Sequence, residues 1–142
     1  MILSAARARL ESATGSPLRH VGGAISLAAA QDNPPQNTPA GFVYPSASAS
    51  DASARVNETR QRITTRFGVA LFVRTANDPT GGGKNDLVEE LYTWVRGVLI
   101  GWVPDPGNGQ AVTFSRGYLA GFEGGGLWWA EEFTVNHYHR KS

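Results

Sequence analysis

An alternating run, Arg60–Thr75 (RQRITTRFGVALFVRT), constrains the fold of this chain more than any other stretch. Ile63, Thr65, Phe67, Val69, Leu71 and Val73 take every second position. Arg62, Thr64, Arg66, Gly68, Ala70, Phe72 and Arg74 fall between them. Successive side chains of a strand point to opposite faces, so a period of two puts the first set on one side of a sheet and the second on the other. The β-branched and aromatic content suits a pleated, half-buried surface. The run is long against a usual strand of about five or six residues, which marks it as central. Gly68, at its middle, predicts a bulge or a close backbone approach. One side is apolar throughout; the other is basic at its start and apolar near Phe72.

The apolar side requires a cover, and the best candidate follows directly. Asp86–Trp102 carries a stripe of Leu87, Leu91, Trp94, Val98 and Trp102, widened by Val88, Tyr92, Val95 and Leu99, which is the spacing of an amphipathic helix. Asp86 and Glu89 stand at capping-box spacing, and Gly101 and Pro104 end the pattern. Upstream, Ile2–Ala13 predicts a short helix and Leu18–Val21 a brief strand. Ala24–Gln31 predicts a helix halted by Pro34 and Pro35, and Ala40–Tyr44 a strand at a sheet edge. Pro45–Asn57 is small and polar and is expected to be a mobile loop.

Downstream, Ala111–Phe122 and Leu127–Arg140 form a hairpin pattern around the glycines at 124–126. Leu127, Trp129, Phe133 and Val135 share one face, interrupted by Glu131; Trp128 and Tyr138 lie on the other. Large aromatics on both faces predict a sheet covered on both sides, or one whose second side meets a partner. The expected architecture is a single α+β domain over residues 1–142. It has an antiparallel or mixed sheet, one long helix on a face and short N-terminal helices.

The chain has no cysteine, which excludes a disulfide framework and thiolate metal sites. No apolar run approaches the roughly 20 residues of a membrane span, and the first residues lack the apolar core of a signal peptide, so no membrane association is expected. The net charge of +1 gives no strong bias toward nucleic acid. The charge is uneven, however. Arg55, Arg60, Arg62, Arg66 and Arg74 face only Asp51 and Glu58 over residues 51–74, whereas Glu123, Glu131 and Glu132 stand without a base over residues 123–132. Oppositely charged flanks of this kind help copies of a chain find one another. Arg55, Arg62, Arg66, Arg74, Glu123, Glu131 and the aromatic Trp128 are therefore the expected oligomer or partner interface.

Reactive constellations are sparse. His137 and His139 could share a metal from one strand face, but no third ligand accompanies them. Glu131 and Glu132 point to opposite faces of a strand and cannot act as a carboxylate pair. Asp78–Lys84 resembles a phosphate loop without its GxxxxGK[ST] spacing. Ser46, Ser48, Ser50 and Ser53 have no fixed base. No nucleophile elbow, metal triad or acid–base set is present, so a small hydrolase ranks last, and neither enzymatic activity nor a cofactor is expected.

Several stretches stand in a distinctive order: LRHVGGAISLAAA, PPQNTPAGFVYP, RVNETRQRITTRFGVALFVRT, then DLVEELYTWVRGVLIGWVPD followed by GYLAGFEGGGLWWAEEFTVNHY. From about Leu18 to Tyr138 the chain resembles the tail terminator, or tail completion, proteins of long-tailed bacteriophages. The resemblance implies a late-expressed α+β subunit, assembled in the host cytoplasm into a ring of six copies. That ring caps the tail tube at the head-proximal end of the virion tail, stops its polymerisation and offers a surface for head–tail joining. The implied partners are further copies of the chain, the major tail tube protein and a head completion or neck protein. DNA would pass through the lumen without sequence-specific contacts. A head–tail connector of similar size is the alternative. The resemblance transfers no site to individual residues.

Overall fold

The computed structural model of this chain describes residues 2–50, 60–74, 82–107, 109–123 and 125–140. The elements run α1 (Ile2–Ser12), β1 (His20–Gly22), α2 (Ala24–Asp32), β2 (Ala40–Ser50), β3 (Arg60–Arg74), α3 (Gly82–Leu99), β4 (Thr113–Glu123) and β5 (Gly126–Arg140). The strands form one five-stranded sheet in the order β1-β2-β3-β5-β4. β1 joins β2 in parallel; the other neighbours are antiparallel, so the sheet is mixed and the domain α+β.

β3 lies at the centre, as its alternation requires, and pairs with β5 without a register break from Arg60↔Arg140 to Arg74↔Gly126. On one face Phe67, Val69, Leu71 and Val73 pack with Phe133, Val135, Val88, Leu91, Val95 and Leu99, closed at one end by Ala6 and Leu10 of α1. Each fully buried side chain of this size contributes about 1.5–3 kcal/mol, so this cluster dominates the stability of the domain. On the second face a smaller cluster joins Ala40, Phe42, Ala70, Phe72 and Trp128 to Ala30 of α2. The sheet is thus covered on both sides, by α1 and α3 on one and by α2 on the other. Trp128 lies against Phe72, with ring centroids 4.6 Å apart.

Several expectations change. The helices are α3, the longest at 18 residues, and the shorter N-terminal α1 and α2. α3 begins at Gly82, so Asp86 lies within the helix and not at its N-cap. The strand expected over Ala40–Tyr44 continues to Ser50, paired with β3 as far as Ser50↔Ile63, with a bulge between Pro45 and Ala47. Residues 45–50 are therefore strand, not loop, because the ladder of β3 satisfies their backbone groups despite their small polar side chains. Residues 51–57 of the expected loop lie outside the described residues. β2 is also internal over residues 40–42, where β1 pairs with it, and forms an edge only beyond them.

Candidate functional site

Polar groups on the two faces of β5 are neutralised inside the domain. Glu131 pairs with Val69 on the α3 side and is fully buried. Arg96 of α3 grips it in a bidentate pair, Nε to Oε2 at 2.7 Å and the terminal NH2 to Oε1 at 2.8 Å. The Trp129 indole N–H donates to the same Oε1 at 2.8 Å. The Arg96 guanidinium also lies over Tyr92 and Phe114, 4.2 and 4.3 Å from their ring centres. Its pKa is raised, chiefly by the hydrogen bond to Glu131. Gly117 of β4 passes directly over this pair; a Cβ there would collide with the Glu131 carboxylate.

On the second face Glu132 accepts from Arg116 Nε at 2.7 Å and from Ser46 Oγ at 3.2 Å. The Arg116 guanidinium lies 4.8 Å from the ring centre of Tyr118. Tyr44 lies across Gly68, where any Cβ would strike its ring. This is the close approach that a glycine in the middle of β3 predicted. Burial first, then the charge and hydroxyl of Tyr118 and the charge of Glu132, push the Tyr44 pKa up to about 12.

These contacts revise the expected interface. Glu131 is a core residue held by Arg96. Trp128 is covered by α2 and 6% exposed. Arg74 turns inward and donates to the carbonyls of Pro34 and Pro35, both at 3.1 Å, fastening the segment after α2. In the single chain Glu131 and Trp128 are buried and Arg74 is half-buried. Arg66 is exposed and Arg62 half-buried. Arg55 and the side chain of Glu123 lie outside the described residues. Glu131 and Glu132 are buried, each paired with an arginine, so these two carboxylates form no exposed acidic flank.

The surface that stands out is one the charge pattern does not reveal. β4 is a terminal strand of the sheet, paired only through β5. Among the described residues, Phe114, Tyr118, Leu119 and Phe122 are four of the six exposed large apolar side chains, and all four lie on this strand. Bulges between Phe114 and Arg116 and between Leu119 and Gly121 interrupt its alternation, so apolar groups emerge on both faces. Phe114, Leu119 and Phe122 pair with Phe133, Trp129 and Leu127 and hence lie on the α3 side. Tyr118 pairs with Ala130 on the other. Behind Tyr118 a cavity of about 250 Å³ opens between α2 and β4, walled by Leu27, Tyr44, Tyr118, Ala120 and Trp128.

Among the described residues the sites of conventional chemistry do not assemble. His137 bonds through Nε2 to Thr65 Oγ1 at 3.1 Å, and the side chain of His139 is not among those described. Among the described residues no group of three or more His, Cys, Asp or Glu could hold a metal ion. Ser46 and Ser48 are engaged with Glu132 and Thr65. Most of the glycine-rich segment Asp78–Lys84 lies outside the described residues. No helix among the described residues is long and apolar enough to cross a membrane.

Comparison with curated proteins returns no significant match. A family model described as phage tail terminator protein matches residues 2–142, nearly the whole chain. This chain belongs to the phage tail terminator family, structural components of the virion tail.

Proposed function

We propose that the protein terminates the tail of a long-tailed phage. Copies of the chain close into a ring, six in number by the family's implication, that caps the tail tube, stops its polymerisation and presents a docking surface to the head–neck proteins. The observation that supports this reading best is β4: a long outer strand, apolar on both faces and exposed at Phe122, Leu119, Tyr118 and Phe114. A monomer normally protects such an edge with charge, proline or a covering element. β4 carries one positive side chain over most of its length, Arg116, and that group is engaged by Glu132. An edge of this kind is the surface of a subunit built to be covered by another chain.

Deletion of the gene followed by electron microscopy of lysates tests the reading. Overlong tail tubes, restored to normal length by the gene supplied in trans, are expected. Tails of normal length that fail to join heads would favour a head–tail connector, and normal joined virions would remove both roles.

A further inference from the structure

We propose that the subunits join head to tail across β4, with Phe122 and Leu119 of one copy entering the cavity behind Tyr118 of the next. The proposal rests on the ring reading and specifies its contact. The protruding part and the receiving part belong to the same strand. Phe122 is 66% exposed and Leu119 48% exposed, both on the α3 side. The cavity of about 250 Å³, walled by Leu27, Tyr44, Tyr118 and Trp128, opens on the opposite side. An apolar cavity of about 150 Å³ is large enough to take benzene, so a phenyl ring fits here.

The charges flanking these two surfaces are complementary. Asp86, Glu89 and Glu90 are exposed on α3. Glu89 precedes Tyr92 and Arg96 by three and seven residues and shares their flank of the helix. Those two side chains reach Trp129 and Glu131, so this flank is the one turned toward β4. The α3 side of the strand therefore has one exposed carboxylate, Glu89, beside its apolar knobs. On the cavity side stand Arg116, its side chain 69% exposed against 10% for its partner Glu132, and exposed Arg66 two positions along the sheet. Glu89 beside the protruding apolar groups thus has exposed Arg66 and the solvent-facing side of Arg116 beside the recess as counterparts on the same molecule. Two different surfaces that fit each other make a heterologous contact, and repetition of that contact builds a ring when the rotation closes. The electrostatic part is screened by salt and the apolar part is not, so moderate salt weakens the assembly without abolishing it.

A mixing experiment with the intact chain tests the contact. Phe122→Ser removes the knob and leaves the cavity; Ala120→Trp, at an exposed bulged position on the cavity wall, fills the cavity and leaves the knob. Mass measurement in solution should show each variant alone requiring at least about 30-fold more protein for half-assembly, as loss of a central anchor does. An equimolar mixture should form dimers and stop there, since each pair retains one working contact. Should Ala120→Trp shift the melting temperature, Gln31→Trp on the α2 wall replaces it. Retention of the wild-type assembly by either properly folded variant, or a mixture that stays monomeric, overturns the contact while leaving the ring reading in place. A wild-type chain that is monomeric at every concentration and salt overturns both.

Discussion

Arg96 holds the one carboxylate that the fold places at the centre of its larger core, and removing it should expose the cost of that placement. Glu131 is fully buried, with two charge-assisted bonds from Arg96 and one from the Trp129 indole. In Arg96→Met the charge loses both guanidinium bonds and keeps only the indole. Breaking a buried pair from one side typically costs about 3–5 kcal/mol. Arg96 is 31% exposed, so solvent already screens part of the pair and the lower end, about 3 kcal/mol, applies. With a urea m-value of about 2 kcal/mol/M, the unfolding midpoint should fall by roughly 1.5 M, read at fixed protein concentration because assembly adds apparent stability. The double variant Arg96→Met/Glu131→Leu removes the stranded charge as well and should recover more than half of the loss. A single variant that costs under about 1 kcal/mol, or a double variant no more stable than the single, would refute the claim that Arg96 neutralises a charge the core cannot otherwise hold.

Three further outcomes follow from the same geometry. Gly117→Ala drives a methyl group into the Glu131 carboxylate and should destabilise by about 1–3 kcal/mol, and most of that loss should disappear in the Glu131→Ala background. Phe72→Ala empties the second-face cluster beside Trp128 and should cost about 3–5 kcal/mol by urea unfolding, with a change in tryptophan fluorescence that Phe114→Ala does not produce. Tyr44, a neutral acid whose folded pKa of about 12 lies above its ordinary value of 10.0, contributes stability that is fully present below pH 10. That stability is lost as pH rises through 12, because the unfolded chain releases the phenolic proton first. Unfolding midpoints from pH 9 to 12 should fall more steeply for wild type than for Tyr44→Phe, and parallel slopes would count against this origin.

The sequence carried the layers of this fold but not its surface chemistry. Alternation in Arg60–Thr75 and the helical stripe of residues 86–102 state directly which side chains are inside, because burial repeats with the period of the element. β3 accordingly lies where its pattern puts it, α3 covers the stripe from Leu87 to Leu99 but ends before Trp102, and the face assignments for Leu127, Trp129 and Phe133 hold. Charge has no such period. Glu131 and Arg96 are 35 residues apart in sequence and Arg74 and Pro35 are 39 apart, and only the register of the sheet and the height of the helix bring them together. A carboxylate in an apolar run is as consistent with an exposed flank as with a buried pair until its partner is known. β4 was opaque for another reason: two bulges break its alternation, so no period labels its faces. The order of strands, which makes it an edge, is a property of the whole sheet.

That arrangement reverses the usual division of labour in a small domain. Charged groups normally stay at the surface and apolar groups inside, since a buried ion loses hydration that its partner only partly replaces. Here the carboxylates of β5 face inward to arginines, while the strand beside them leaves aromatic rings in water. A single rationale covers both choices if β4 is destined for a second chain. A carboxylate free to point into such a contact would be stranded there without a counter-charge, at a cost of several kcal/mol. Holding Glu131 under Gly117 and Glu132 under Arg116 within the monomer gives these two carboxylates their counter-charges before assembly begins. On this argument Glu132→Ala and Arg116→Ala should differ in effect. The first frees a guanidinium at the rim of the cavity, where an acidic neighbour can take it up, and should leave assembly intact or tighter at low salt. The second leaves a nearly buried carboxylate unpaired and should weaken both folding and assembly. Equal effects of the two substitutions on the mass distribution in solution would contradict it.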